Sequence, residues 1–118
     1  MYIEIKDNFT NEVMTIKNVN YKYTENKLSY VYNGESYIWT FNDKEILLEK
    51  KGGIEYLHKY VEGRLTKSII KMNTLEMQVY ILTKSIIKVD NNIKLMYNIY
   101  NDRDVENLIS SYEVKINL

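Results

Sequence analysis

Residues 28–41 read LSYVYNGESYIWTF, with three tyrosines, a tryptophan and a phenylalanine in fourteen positions around one Asn33-Gly34 pair. An Asn-Gly pair between alternating apolar residues is a strong hairpin signal, because a two-residue type I′ turn needs positive φ at both central positions. On the downstream arm Tyr37, Trp39 and Phe41 fall on one face, with Ile38 and Thr40 on the other. The stretch therefore reads as two antiparallel strands that share a ring-bearing face.

The same period of two extends outward along the chain. Leu75, Met77, Val79 and Ile81 share a face opposite Glu76, Gln78 and Tyr80; Ile93, Leu95, Tyr97 and Ile99 form another row, and Tyr112, Val114, Ile116 and Leu118 a third. Such alternation marks antiparallel strands with one face in a core and one in water. Turn signals fall between the runs at Asn42-Asp43, Gly52-Gly53, Glu62-Gly63, Asn73-Thr74 and Asp90-Asn91-Asn92. Strands are expected over 2–6, 12–23, 27–33, 36–42, 45–50, 55–61, 65–72, 75–83, 85–89, 92–100 and 109–117, some of them halves of one bent strand. For 101–111, NDRDVENLISS, a helical turn near 103–109 and a plain loop are both open. Short consecutive strands build a meander, and curling it shut removes exposed sheet edges. The expected fold is all-β, a single antiparallel meander barrel of about eight strands closed by the N-terminal strands, with a sandwich as the alternative.

Composition agrees and narrows the function. One domain is expected from 118 residues, and the chain contains no alanine, the best helix former, and no proline. It has no cysteine, so disulfides and thiolate metal sites are ruled out. Lys plus Arg and Asp plus Glu both number 16, and Arg64 and Arg103 are the only arginines. That lacks the basic excess of a nucleic-acid binder, so no nucleic-acid partner is expected. No apolar run approaches a membrane span and MYIEIKDNF lacks a signal-peptide core, so the cytoplasm is expected and a membrane partner is not.

The segment 27–99 resembles the DUF1934, or YwiB-like, family of small bacterial proteins. The resemblance is carried by LSYVY, by ILLEKKGG at 46–53, HKYVEG at 58–63, LEMQVYILTKSI at 75–86 and IKLMYNI at 93–99. Lys50 and Gly52 occupy the last two places of the family's apolar-x-Arg-x-Gly pattern. Tyr60 with Gly63 matches its aromatic before a glycine, and Thr83 and Tyr97 match a strand-end Thr and a late inward Tyr. Lys50 in place of the family's Arg keeps the charge and loses the planar fork. A glycine usual before the LEMQV strand is absent. The resemblance implies a calycin-like (lipocalin-like) β-barrel and no established activity.

Candidate chemistry is sparse. His58, the only histidine, lies at period two between Tyr56 and Tyr60. It is either a general base or polar group at the bottom of a pocket, or a half-buried ring satisfied by hydroxyls. One histidine without cysteine makes no zinc site, the carboxylates form no catalytic or calcium-binding pattern, and the glycines no phosphate cradle. Continuing the parity of Ile46 and Leu48 turns Lys50 inward. There it needs a carboxylate, hydroxyls or a bound anion, unless it sits at the rim with its ammonium reaching solvent.

No catalytic residue, metal or cofactor is expected. The first functional reading is a non-catalytic barrel holding a small apolar or weakly anionic ligand in a shallow mouth lined by Tyr32, Trp39, Lys50, His58, Tyr60, Thr83 and Tyr97. The second is an interaction or scaffold module, including a homodimer, acting through outward Tyr80, Met96 and Tyr100. An enzyme built on His58 is the third.

Overall fold

The computed structural model describes residues 1–118. Eleven strands follow one another with no helix. In chain order they are β1 (Tyr2–Asp7), β2 (Val13–Lys17), β3 (Tyr21–Thr24), β4 (Lys27–Tyr32), β5 (Glu35–Phe41), β6 (Glu45–Lys51), β7 (Ile54–Val61), β8 (Leu65–Met72), β9 (Leu75–Val89), β10 (Asn92–Tyr100) and β11 (Leu108–Asn117). All pair antiparallel in one sheet, ordered β2-β1-β11-β10-β9-β8-β7-β6-β5-β4-β3. From β3 to β11 the chain is a pure meander, and β1 then adds beside β11.

The all-β antiparallel class is as expected, but the sheet holds eleven strands rather than about eight, and no ladder closes it. The segment read as one strand over 12–23 breaks at residues 18–20, where Asn18 takes φ 59°, and separates β2 from β3. Those two strands are the edges of the sheet. The curl brings their inner faces to a common core, in which Ile16 of β2 is buried in one cluster with Leu28 and Tyr30 of β4. Residues 75–83 and 85–89 are one strand. Met96 opposes Ser85 and Tyr97 opposes Thr83, so Lys84 is a bulge residue. The bulge shifts the alternation by one, so Thr83 is buried on one side of it and Ile86 packs on the core from the other.

Asn33 and Gly34 take φ 52° and 75°, as the type I′ reading requires. Glu25 and Asn26 do the same at the β3–β4 turn, with φ 53° and 65°. Residues 101–107 form a loop without helix, in which the Asp102 carboxylate accepts from the backbone N–H of Glu106 and Asn107.

The ladder registers arrange the inner face in three rows across β5, β6 and β7. Phe41, Ile46 and Tyr60 make the first, Trp39, Leu48 and His58 the second, and Tyr37, Lys50 and Tyr56 the third. The first row is buried together with Ile3, Ile16, Leu28, Ile93 and Ile116 and forms the floor. The third row is half-buried and stands at the opposite end. Between β7 and β8 only Ile54–Met72 and Glu55–Lys71 pair as a ladder. Beyond them hydroxyls bridge the seam: Ser68 Oγ donates to the Leu57 carbonyl at 3.2 Å, and Thr66 Oγ1 donates to that of Lys59.

Candidate functional site: an apolar calyx at the open end of the sheet

Rows two and three enclose a cavity of about 500 Å³, lined by nineteen residues of which sixteen are apolar or aromatic. That volume lies within the ordinary range for small-molecule sites. Its lip is apolar. Met14, Met77 and Ile109 line it and remain 44 %, 46 % and 43 % exposed. They occupy inner-face or bulge positions beyond the reach of the floor, so nothing in the chain covers them. Leu75, also on the inner parity of β9, is still more exposed at the same end.

Trp39 forms part of the wall. Its ring is buried, stacks on Phe41 at 6.3 Å and donates from Nε1 to Tyr30 Oη at 3.0 Å. Burial pushes the Tyr30 hydroxyl up to about 12, so it stays protonated. Tyr37 lies parallel to Tyr30 at 5.2 Å.

His58 is fixed in row two. Tyr56 stacks on it at 3.8 Å, and Tyr60 meets its edge at 6.1 Å. Its Nδ1 is 2.7 Å from Ser68 Oγ, and Ser68 spends its one proton on Leu57. Nδ1 therefore carries the proton and donates, and Nε2 is the ring's acceptor. Burial lowers the His58 pKa to about 4, so the ring is neutral near pH 7.

Lys50 unites the two readings left open for it. It points inward and sits at the rim, 13 % exposed, and its Nζ meets Glu35 Oε2 at 2.8 Å. The ammonium lies 5.6 Å from the Tyr37 ring and 5.8 Å from the Tyr56 ring. Tyr37 Oη also donates to Glu35 at 3.3 Å. The bond from Lys50 holds the Glu35 carboxyl below the usual carboxylate range. Gly52, at φ 145°, lets the β6–β7 turn close over this carboxylate, since a Cβ there would stand 2.9 Å from Glu35 Cγ.

Of the seven residues expected at the mouth, Trp39, Lys50, His58 and Tyr97 line the cavity. Tyr32, Tyr60 and Thr83 do not. Tyr60 belongs to the floor row opposite Ile46, and its ring is tilted on Tyr97 at 4.7 Å with the hydroxyl fully buried. Burial raises that hydroxyl far above the usual phenol value. Thr83 is sealed beside the bulge, and its hydroxyl has no hydrogen-bond partner. Tyr32 ends β4 at the Asn33 turn and packs half-buried against the core. Sequence parity gave the face of these three and not their depth. Tyr37 and Tyr56, legible only by the face they share with Trp39 and with His58, line the cavity as well, as does Ile70, which no sequence signal singled out.

On the outer surface Tyr80, Met96 and Tyr100 are half-buried rather than an open patch. Arg103 lies 5.9 Å over the Tyr80 ring, and Tyr100 Oη accepts from Asn98 Nδ2 at 3.2 Å. A second depression, of about 410 Å³, lies over the β7–β8 seam, shares Lys50 and Tyr56 with the calyx, and is lined mainly by charged residues. No group of three or more His, Asp and Glu side chains converges as a metal site. No helix is long and apolar enough to cross a membrane.

A curled antiparallel meander, packed at one end and hollow at the other, defines a small calyx-shaped β protein. In particular, the chain is similar to the YwiB protein of Bacillus subtilis, whose crystal structure aligns with a TM-score of 0.72 at 20 % identity, covering 97 % of this chain and 86 % of that one. At that identity the likeness is one of fold. No family model and no curated protein matches the sequence.

Proposed function

We propose that the chain is a calycin-like member of the DUF1934 (YwiB-like) family, acting in the bacterial cytoplasm as a non-catalytic protein that holds a small, largely apolar molecule in the calyx. The observation that carries this is the 500 Å³ cavity, whose sixteen apolar or aromatic lining residues include an uncovered lip of Met14, Met77 and Ile109. Burying such surface is the main favourable term in ligand binding, and flexible thioethers at a lip adapt to varied shapes. The non-catalytic part rests on His58, whose one ring face is covered by Tyr56 and whose Nδ1 is engaged by Ser68, with no carboxylate among the cavity's lining residues to pair with it. Family membership rests on the fold shared with YwiB together with Lys50, Gly52, Tyr60, Gly63, Thr83 and Tyr97 at the family's places.

The test is a titration with decanol, followed by Trp39 emission and by the melting temperature. Saturable change in emission with a rise in melting temperature is expected. Neither response up to the solubility limit of decanol would remove the reading.

The sheet edges favour a second reading, self-association into a homodimer. β2 and β3 each leave one edge unpaired, and Val13, Tyr21 and Tyr23 on them are exposed. Sedimentation over a concentration series tests it; a strictly monomeric species at the highest concentration dismisses it.

A further inference from the structure

The cavity carries one cation and no anion. Its only lining residues that are neither apolar nor aromatic are Lys50, His58 and Ser110, and Glu35 is not among the lining residues. A lone lysine at the rim of an apolar calyx would ordinarily make an anion site, with a ligand carboxylate supplying the counter-charge. Here the counter-charge comes from the protein. Glu35 sits 2.8 Å from Lys50, is held by Tyr37 Oη, and is roofed by Gly52, where a Cβ would collide with it. An anionic ligand would have to displace this pinned carboxylate, or enter beside it at the cost of like-charge repulsion in a half-buried setting.

The remaining polar groups point the same way. His58 is neutral near pH 7, and burial keeps Tyr30 and Tyr97 protonated, their hydroxyls titrating at about 12. They offer hydrogen bonds without charge.

Building on the calyx reading above, we infer that Glu35 is a specificity-determining residue that pre-neutralises Lys50, so that the calyx selects uncharged apolar molecules bearing at most a hydroxyl, ketone or ester and rejects the corresponding acids. Lys50 then serves as a hydrogen-bond donor already balanced in charge. The ligand class is that of neutral lipids and apolar alcohols, rather than fatty acids or phosphorylated isoprenoids.

The matched probes decanol and decanoate differ only at the head group. Their affinities are read from Trp39 emission at pH 8, where decanoate is charged, for the native chain and for Glu35→Gln, Lys50→Met and the double variant. The native chain binds decanol more tightly than decanoate, and Glu35→Gln, by freeing the ammonium, raises the affinity for decanoate relative to decanol by about tenfold or more. Adding Lys50→Met abolishes that gain, which separates a charge effect from loosened packing. A native preference for decanoate, or a ratio unmoved by Glu35→Gln in a variant that still binds decanol, overturns the inference and leaves the calyx standing. Failure of both probes to bind the native chain overturns the calyx reading and the inference with it.

Discussion

The floor row and the mouth row lie on the same three strands, four residues apart on each with the His58 row between, and have opposite fates. Phe41, Ile46 and Tyr60 are buried against the inner faces of β1, β2, β4, β10 and β11. Tyr37, Lys50 and Tyr56 have no opposing layer and stand around a cavity. Parity is equal in both rows; what differs is whether the curl of the sheet brings another strand across. A curled meander can therefore place stability at one end and an empty site at the other without any change in sequence pattern.

Substitution at the floor should break this contrast most strongly. Ile46→Ala leaves a hole in fully buried packing and is expected to cost about 2–5 kcal/mol in urea unfolding. A cost below ~1 kcal/mol would mean that the floor is as loosely filled as the mouth.

Row two sits at the boundary, and its histidine links stability to pH. The folded His58 has its pKa lowered from 6.5 to about 4, so below pH 6.5 the unfolded chain takes up the proton first. The contribution is present above pH 6.5 and is lost as pH falls toward 4, to a total on the order of 3 kcal/mol. His58→Gln keeps a partner for Ser68 and removes the titration. Its stability should fall less steeply than that of the native chain across this window, and parallel curves would show that His58 is solvated.

Tyr60→Phe sharpens the picture of the floor. The hydroxyl is buried with no partner in hydrogen-bond geometry, so deleting it should leave stability unchanged or raise it by up to about 1 kcal/mol. A loss beyond that would reveal a bond between Tyr60 and Tyr97. The smallest effect belongs to the lip, where Met77→Ala should shift stability by less than about 0.5 kcal/mol while weakening decanol binding.

Much of the fold was legible in local chemistry. Asn33-Gly34 set the β4–β5 hairpin, and the faces of Tyr37, Trp39 and Phe41 and of Ile46, Leu48 and Lys50 are those the alternation gives. The misses have physical causes. The break within 12–23 turns on a positive φ at the single Asn18, with no glycine beside it to mark a turn. Residues 75–83 and 85–89 could be read either as two strands or as halves of one bent strand, because alternation alone does not distinguish a bulge from a strand end. Tyr32, Tyr60 and Thr83 stand outside the cavity, because alternation fixes which face a side chain takes and is silent on its distance from the open end. The partnership of Lys50 with Glu35 depends on the β5–β6 register across a hairpin, which places Lys50 opposite Tyr37 and Lys51 opposite Ser36, one step from Glu35.

The central claim is that one end of the inner face is hollow and receives an apolar molecule. Methyl NMR of the methionines during a decanol titration tests it most directly. Met14 and Met77 line the cavity, whereas Met96 lies outside it on the β10 face opposite Leu95 and Tyr97. Saturable shifts at Met14 and Met77 with Met96 unmoved are expected. Shifts confined to Met96, equal at all three, or absent throughout would contradict the account.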